Sequence, residues 1–288
     1  SIRLIDLEEK TVTMQASLSA TGDKPAIINW TVDENQDMII SRDLGKDGNV
    51  NVLKTRASEF KSEVKLGNSK QQAAVGAFVH PQTGNIYYAL YKDQSIYEYK
   101  FEDKTTNVIA SHPRVKETLR MVVHPTGKYA YLLRQYNERG NGYISRMDYN
   151  STANQFTTPY IVAGSASGSG YRDGVGSRVQ MNGPTQGVFV KNPEYAGEED
   201  EYDFYFCDER NHCIRILTPT GRVVTFAGRG NDSSDPGFAN GALRSEARFA
   251  YPWAIAYDEK RKCFYVGERG MSRDGKEQAV IRKIAMEE

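Results

Sequence analysis

From residue 72 onward, short apolar runs alternate with polar turns in a fixed order. AVGAFVH is followed by the turn PQTG, then by NIYYALY, SIYEYKF and TTNVIAS. The same plan returns from residue 117 as TLRMVVH, PTG, KYAYLLR, GYISRMDY and PYIVAG. Runs of five to seven residues with period-2 alternation, bounded by Gly, Pro, Asn and Asp, predict half-buried β-strands. Five such units are expected, at about residues 25–67 (with MIIS, 38–41, as second strand), 72–111, 117–164, 181–228 and 249–286. Four-stranded units of roughly 40–50 residues in series predict a β-propeller, in which each blade buries its faces against its neighbours. A β-sandwich with a chance rhythm is the alternative, but sandwiches do not repeat a phrase at a fixed place in the unit.

Such a phrase is present. CIRILTPTGRVVTFAG (213–228) aligns without a gap on SIRLIDLEEKTVTMQA (1–16), and its first half returns in Val280-Ile281-Arg282-Lys283-Ile284. The chain therefore opens and closes in mid-repeat. The expected architecture is a single all-β propeller domain over 1–288, six-bladed, with 1–16 as the third and fourth strands of a split blade cut from a longer protein. A five-bladed ring with another closure is the alternative.

Composition adds exclusions. Lys+Arg and Asp+Glu balance at 37 each, which removes the electrostatic case for nucleic acid or an anionic membrane. No apolar run approaches the roughly 20 residues of a membrane span. Three cysteines, Cys207, Cys213 and Cys263, do not make a disulfide framework; a Cys207–Cys213 bond is open, and small apolar strand fillers are the favoured reading. No Cys-x-x-Cys pair, clustered histidine set, nucleophile elbow or phosphate loop is present, so no catalytic residue, metal site or cofactor is assigned.

A second repeated element joins the later blades. Gly170-Tyr171-Arg172-Asp173-Gly174 precedes Gly183-Pro184, and Gly237-Phe238-Ala239-Asn240-Gly241 precedes Tyr251-Pro252. With DERNHCIRILTPTG, FAG and ARFxxPW, these phrases resemble the NHL-repeat propellers, strongly in the C-terminal half and weakly over 25–164. The stretch 187–230 is similar to NHL propellers of gut Bacteroidetes, which commonly follow an IPT/TIG immunoglobulin-like domain in secreted lipoproteins. The resemblance implies an extracytoplasmic, cell-envelope location and an upstream domain absent from this chain.

Loops between second and third strands, and the connections between blades, are expected on one face. That face would collect Arg134, Tyr136, Arg210, Trp253, Glu268 and Arg269, a mixture of flat rings and planar hydrogen-bonding groups suited to a glycan or protein partner. Asp208, Asn211 and His212 read as loop-tying residues. His80 and His124, each before a Pro and a Thr-Gly turn, read as a repeated turn, and Glu198-Glu199-Asp200-Glu201 reads as a solvated loop tip. Two functions follow: a non-enzymatic recognition module, and, as the alternative, a metal-dependent propeller hydrolase or lyase of lactonase type. A channel cation would need converging carboxylates, whereas Arg42/Asp43, Lys92/Asp93, Arg134, Asp208 and Glu268 interleave both signs.

Overall fold

The computed structural model describes backbone for residues 2–6, 11–16, 26–32, 38–43, 50–56, 59–66, 74–90, 93–100, 102–116, 118–134, 142–230, 236–270, 272–273, 276–277 and 279–285, with most side chains from Ala77 onward. The chain forms two compact units, Ser1–Met121 with Ser151–Gln155, and Val122–Asn150 with Phe156–Glu288. Nearly all regular structure is antiparallel β-strand, and the architecture is that of propeller blades.

In the first unit, β1 (Ile2–Asp6) pairs with β2 (Thr11–Ala16), placing Leu4 opposite Thr13. The next sheet runs β3 (Ala26–Val32), β4 (Met38–Asp43), β5 (Val50–Arg56), β6 (Glu59–Leu66) in sequence order. The third repeats that order with β7 (Ala74–Val79), β8 (Ile86–Leu90), β9 (Ser95–Tyr99) and β10 (Thr106–Ser111). Purely sequential pairing is what short turns between neighbouring strands produce.

β11 (Thr118–Val123) carries the chain into the second unit. There β12 (Tyr129–Arg134) pairs with β13 (Tyr143–Asn150), which also pairs with β15 (Tyr160–Gly164); the short β14 (Gln155–Phe156) lies between them in the chain. The following sheet orders β16 (Gly174–Val175), β20 (Arg222–Ala227), β19 (Cys213–Leu217), β18 (Tyr202–Asp208) and β17 (Pro184–Lys191), so the connecting loop adds its own short strand at the outer edge. The last sheet is β21 (Pro252–Asp258), β22 (Cys263–Glu268) and β25 (Val280–Ala285), with β23 (Ser272–Arg273) and β24 (Lys276–Glu277) as a hairpin before β25.

The core of the second unit lies between successive sheets. Tyr129, Tyr131, Leu133 and Ile144 pack with Phe204, Phe206, Leu217 and Val223. On the other side of the β17–β20 sheet, Cys207, Ile214 and Ala227 pack with Phe249, Ile255, Phe264 and Val266. Central strands are consequently buried on both faces: Phe204, Phe206, Cys207 and Asp208 all lie inside in β18. All three cysteines are buried and unbonded, which settles Cys207 and Cys213 as fillers; burial pushes both thiols well above their usual range.

The two histidine turns close with corresponding bonds, although the first is one residue longer before its glycine. His80 N donates to Asn85 O and Gly84 N to His80 O; His124 N donates to Tyr129 O and Gly127 N to His124 O. In each, the ring Nδ1 accepts the backbone N–H two residues on, from Gln82 and Thr126. The turn chemistry read from His-Pro and Thr-Gly is the turn the chain forms.

Candidate binding face

Arg215, on β19, is fully buried and organises the loop region of its blade. Its Nη1 donates to Asp208 Oδ2 (2.9 Å) and to Gln180 O (2.7 Å), and its Nη2 to Asp173 Oδ1 and Arg172 O (both 2.8 Å). Asp208 in turn accepts from Asn182 N through Oδ1 and from Asn211 Nδ2 through Oδ2. Asn211 also donates to Gly170 O, and Asp173 accepts from Thr225 N and Thr225 Oγ1. The repeated Gly-Tyr-x-Asp-Gly phrase is thus a strap, and the Asp-x-x-Asn phrase is its buckle. Burying a guanidinium costs heavily unless its charge and donors are matched; here two carboxylates and two carbonyls take up both Nη groups, while Nε is buried with no partner among the described residues.

The strap fixes what reaches the surface. Glu209 N donates to Gly183 O, and one blade later Arg269 N donates to Tyr251 O, so Glu209 and Arg269 hold equivalent positions at the ends of β18 and β22. Tyr251 matches Gly183 in the repeat and keeps its left-handed backbone, φ 55° against 88°. Its N–H donates to His212 Nδ1 (3.2 Å) and its ring meets that imidazole edge-on, which places His212 as a blade-to-blade tie.

Glu209 and Arg269 then meet: Arg269 Nη1 donates to Glu209 Oε1 at 3.2 Å. The same guanidinium lies over the Trp253 ring, 4.8 Å from its centroid. Trp253 is half-buried at the start of β21, and its carbonyl accepts from Thr185 Oγ1, the matching position of the preceding blade. Burial holds the Glu209 carboxyl above the usual carboxylate range, with Arg269 and Arg210 opposing the shift. The arrangement offers an indole held under an exposed, oriented guanidinium, next to a largely buried carboxylate.

The residues expected on this face are distributed as follows. Trp253 and Arg269 are in contact, and Arg210 follows Glu209 in the turn, its backbone N–H donating to Asn182 O. Glu268 does not reach the surface: it is 3 % exposed, accepts from Ala250 N and pairs with Arg282 at 3.4 Å. Burial raises its carboxyl above the ordinary value, opposed by Ala250 N–H and Arg282. One strand position inward from Arg269 is enough to turn its side chain into the blade. Arg134 ends β12, but its side chain, like all of Tyr136, lies outside the described residues. Glu209 belongs to the Asp208–Asn211 loop expected on this face but not to the candidate set; aligning Asp208-Glu209 on Glu268-Arg269 is the signal that matches it to Arg269.

Among the described residues no group of three or more His, Cys, Asp and Glu side chains is placed to hold a metal ion, and no helix is long and apolar enough to cross a membrane. Two of the carboxylates considered for a channel cation, Asp208 and Glu268, are each engaged by an arginine, Arg215 and Arg282.

No family model matches the chain, and no curated protein matches it. Solved structures do. An auxiliary nutrient binding protein from Bacteroides ovatus is 40% identical with a TM-score of 0.79, over 92% of this chain and 60% of that one. An auxiliary nutrient binding protein from Bacteroides thetaiotaomicron is 38% identical with a TM-score of 0.80, over 98% and 63%. A third protein, from Bacteroides thetaiotaomicron and named as a candidate phosphatase, is 31% identical with a TM-score of 0.79, over 99% and 66%. The chain therefore spans somewhat under two thirds of the length of these similar proteins. At 13% identity, nidogen in its laminin complex (TM-score 0.59) and virginiamycin B lyase from Staphylococcus aureus (TM-score 0.53) share the propeller-like fold alone.

Proposed function

We propose that this chain is the recognition propeller of a longer extracytoplasmic protein, and that it binds a glycan on the face carrying Trp253, Arg269, Glu209 and Arg210. The observation that carries the reading is the Arg269 guanidinium stacked on a half-buried indole and tethered by Glu209. A fixed planar donor beside an aromatic surface suits the alternating apolar and hydroxyl faces of a sugar. The names of the two Bacteroides nutrient binding proteins, at 40% and 38% identity, support a binding role. The NHL-type straps around Arg215 and Arg282 support the family resemblance, and the greater length of the similar proteins leaves room for an upstream immunoglobulin-like domain and for the remaining strands of a six-bladed ring.

A glycan array tests the reading. Signal on a defined glycan class, lost in Trp253→Ala and in Arg269→Ala, is the expected result. A blank array across plant, host and microbial glycans overturns the glycan and leaves a protein partner. The enzyme alternative has one observation in its favour, the phosphatase name of the 31% identical neighbour. Turnover of p-nitrophenyl phosphate above the rate of an Arg269→Ala variant would replace the binding reading.

A further inference from the structure

We infer that a second ligand site, for a small carboxylate, lies on the opposite loop face, in a cavity of about 390 Å³ walled by the His124 turn and the loop between β17 and β18. The volume falls within the roughly 300–1,000 Å³ of small-molecule sites. One wall is cationic. Arg146 lies flat on the Tyr129 ring, its guanidinium carbon 3.7 Å from the centroid, and its Nε donates to Asp148 Oδ1 at 2.6 Å. Those two contacts fix the plane and direction of the guanidinium and leave its two Nη groups without a protein partner among the described residues. Lys128, beside it, carries an exposed ammonium that likewise has no protein partner there. An oriented pair of free Nη donors with an ammonium alongside matches the two oxygens of a carboxylate.

The other wall is acidic and equally well held. Asp200 turns inward, accepting from Tyr129 OH at 2.7 Å and meeting His124 Nε2 at 3.2 Å. Glu201 accepts from Gly197 N and pairs with Lys191, closing the loop behind it. This leaves Glu198 and Glu199 exposed at the cavity rim, with no hydrogen-bond partner for their carboxylates among the described residues. The run that reads as a solvated tip is therefore an anchored wall, with only its first two members free. A ligand that satisfies both walls carries a carboxylate at one end and hydrogen-bond donors at the other. Hydroxyls of a sugar acid and the ammonium of an amino acid share that chemistry. The site shares no residue with the Trp253 face and stands or falls independently of it.

Isothermal titration of the intact chain with D-galacturonate, D-galactose and β-alanine separates these sources. Binding of galacturonate without galactose supports the site with a sugar acid as ligand; binding of β-alanine without galactose supports it with an amino acid. Arg146→Lys, which keeps charge and loses the two-pronged donor, is expected to weaken binding about tenfold or more. Lys128→Gln, on an exposed side chain with an unchanged melting curve, is expected to weaken it several-fold and decides the matter if Arg146→Lys misfolds. The inference is overturned if neither acid binds at up to about 10 mM, if galactose binds as well as galacturonate to a Trp253→Ala chain, or if Lys128→Gln leaves affinity for the acids unchanged.

Discussion

Arg282 makes, one blade later, the same set of bonds as Arg215. Arg215 reaches Asp208, Asp173 and the carbonyls of Gln180 and Arg172; Arg282 reaches Glu268, Asn240 and the carbonyls of Arg248 and Ala239. The two straps differ in charge. Arg215 faces two carboxylates, whereas Arg282 faces one carboxylate and one amide, and its side chain is 14% exposed against 0%.

Removing the first arginine should therefore be the costlier change. Arg215→Met strands Asp208 without its countercharge at zero exposure, and a loss of about 3–5 kcal/mol in urea unfolding is expected. Arg282→Met should cost less. Asp208→Asn combined with Arg215→Met should recover part of the loss, since no isolated charge then remains inside. The pair Arg269–Glu209, with Arg269 59% and Glu209 5% exposed, should show a smaller double-mutant coupling than the fully buried Arg215–Asp208 pair. Equal couplings for the two pairs would refute the division into buried strap and surface site.

Gly164 and Gly228 end the fourth strands of consecutive blades with φ of 87° and 89°. A Cβ on Gly228 would lie 2.7 Å from His212 O and 3.1 Å from Cys213 Cα, and one on Gly164 would lie 2.5 Å from Gly142 O. Both glycines let the chain leave the blade directly across the start of the third strand. Gly228→Ala combines a left-handed backbone with a backbone collision, and a loss of roughly 2–4 kcal/mol is expected by chemical denaturation. A variant as stable as the parent would mean that the end of β20 can move away, which the strap on Thr225 argues against.

The strands and their order were legible because alternation and turn residues are local signals, and the blades in which they cluster follow from short connections. The Ile-Arg-x-Ile phrase was legible as a repeat, but not as a strap: the partners of Arg215 lie 7, 35, 42 and 43 residues away. Asp200 was illegible for a similar reason. In sequence it is one of four consecutive acids, and its inward turn is decided by Tyr129 and His124, 71 and 76 residues distant. Glu268 shows the limit of counting loop positions, since in a strand end one residue separates the exposed Arg269 from a carboxyl buried under it.

Asp203 is 5% exposed in β18 and accepts from Asn192 Nδ2 at 2.8 Å. Burial raises its carboxyl above the usual aspartate value, with Asn192 and Tyr195 opposing. The folded chain thus holds this proton to higher pH than the unfolded chain does. Its contribution to stability is fullest below the unfolded value, about 3.9, and declines as pH rises through the folded value. Asp203→Asn keeps the acceptor and removes the charge. Its urea midpoint should exceed that of the parent at pH 7, with the difference closing near about pH 4. A parent that stays ahead at neutral pH would show that the ionised carboxylate is stabilised in place.

His124 tests the opposite sign and the wall of the proposed carboxylate site together. Its ring is enclosed by Tyr129, Phe189 and Tyr202 at centroid distances of 4.5, 4.9 and 4.9 Å. Burial pulls its pKa below the ordinary histidine value, and Asp200 opposes the shift without overcoming it. The folded chain binds this proton less readily than the unfolded chain, so the contribution of His124 is present above about pH 6.5 and is lost as pH falls through the folded value. The imidazole C–H resonance should titrate with a midpoint below about 6.5. Asp200→Asn should lower that midpoint further, because the opposing charge is gone while the aromatic enclosure remains. A midpoint above the ordinary value would show instead that the Asp200 contact governs the ring, and that the acidic loop is held at neutral pH by a charged pair.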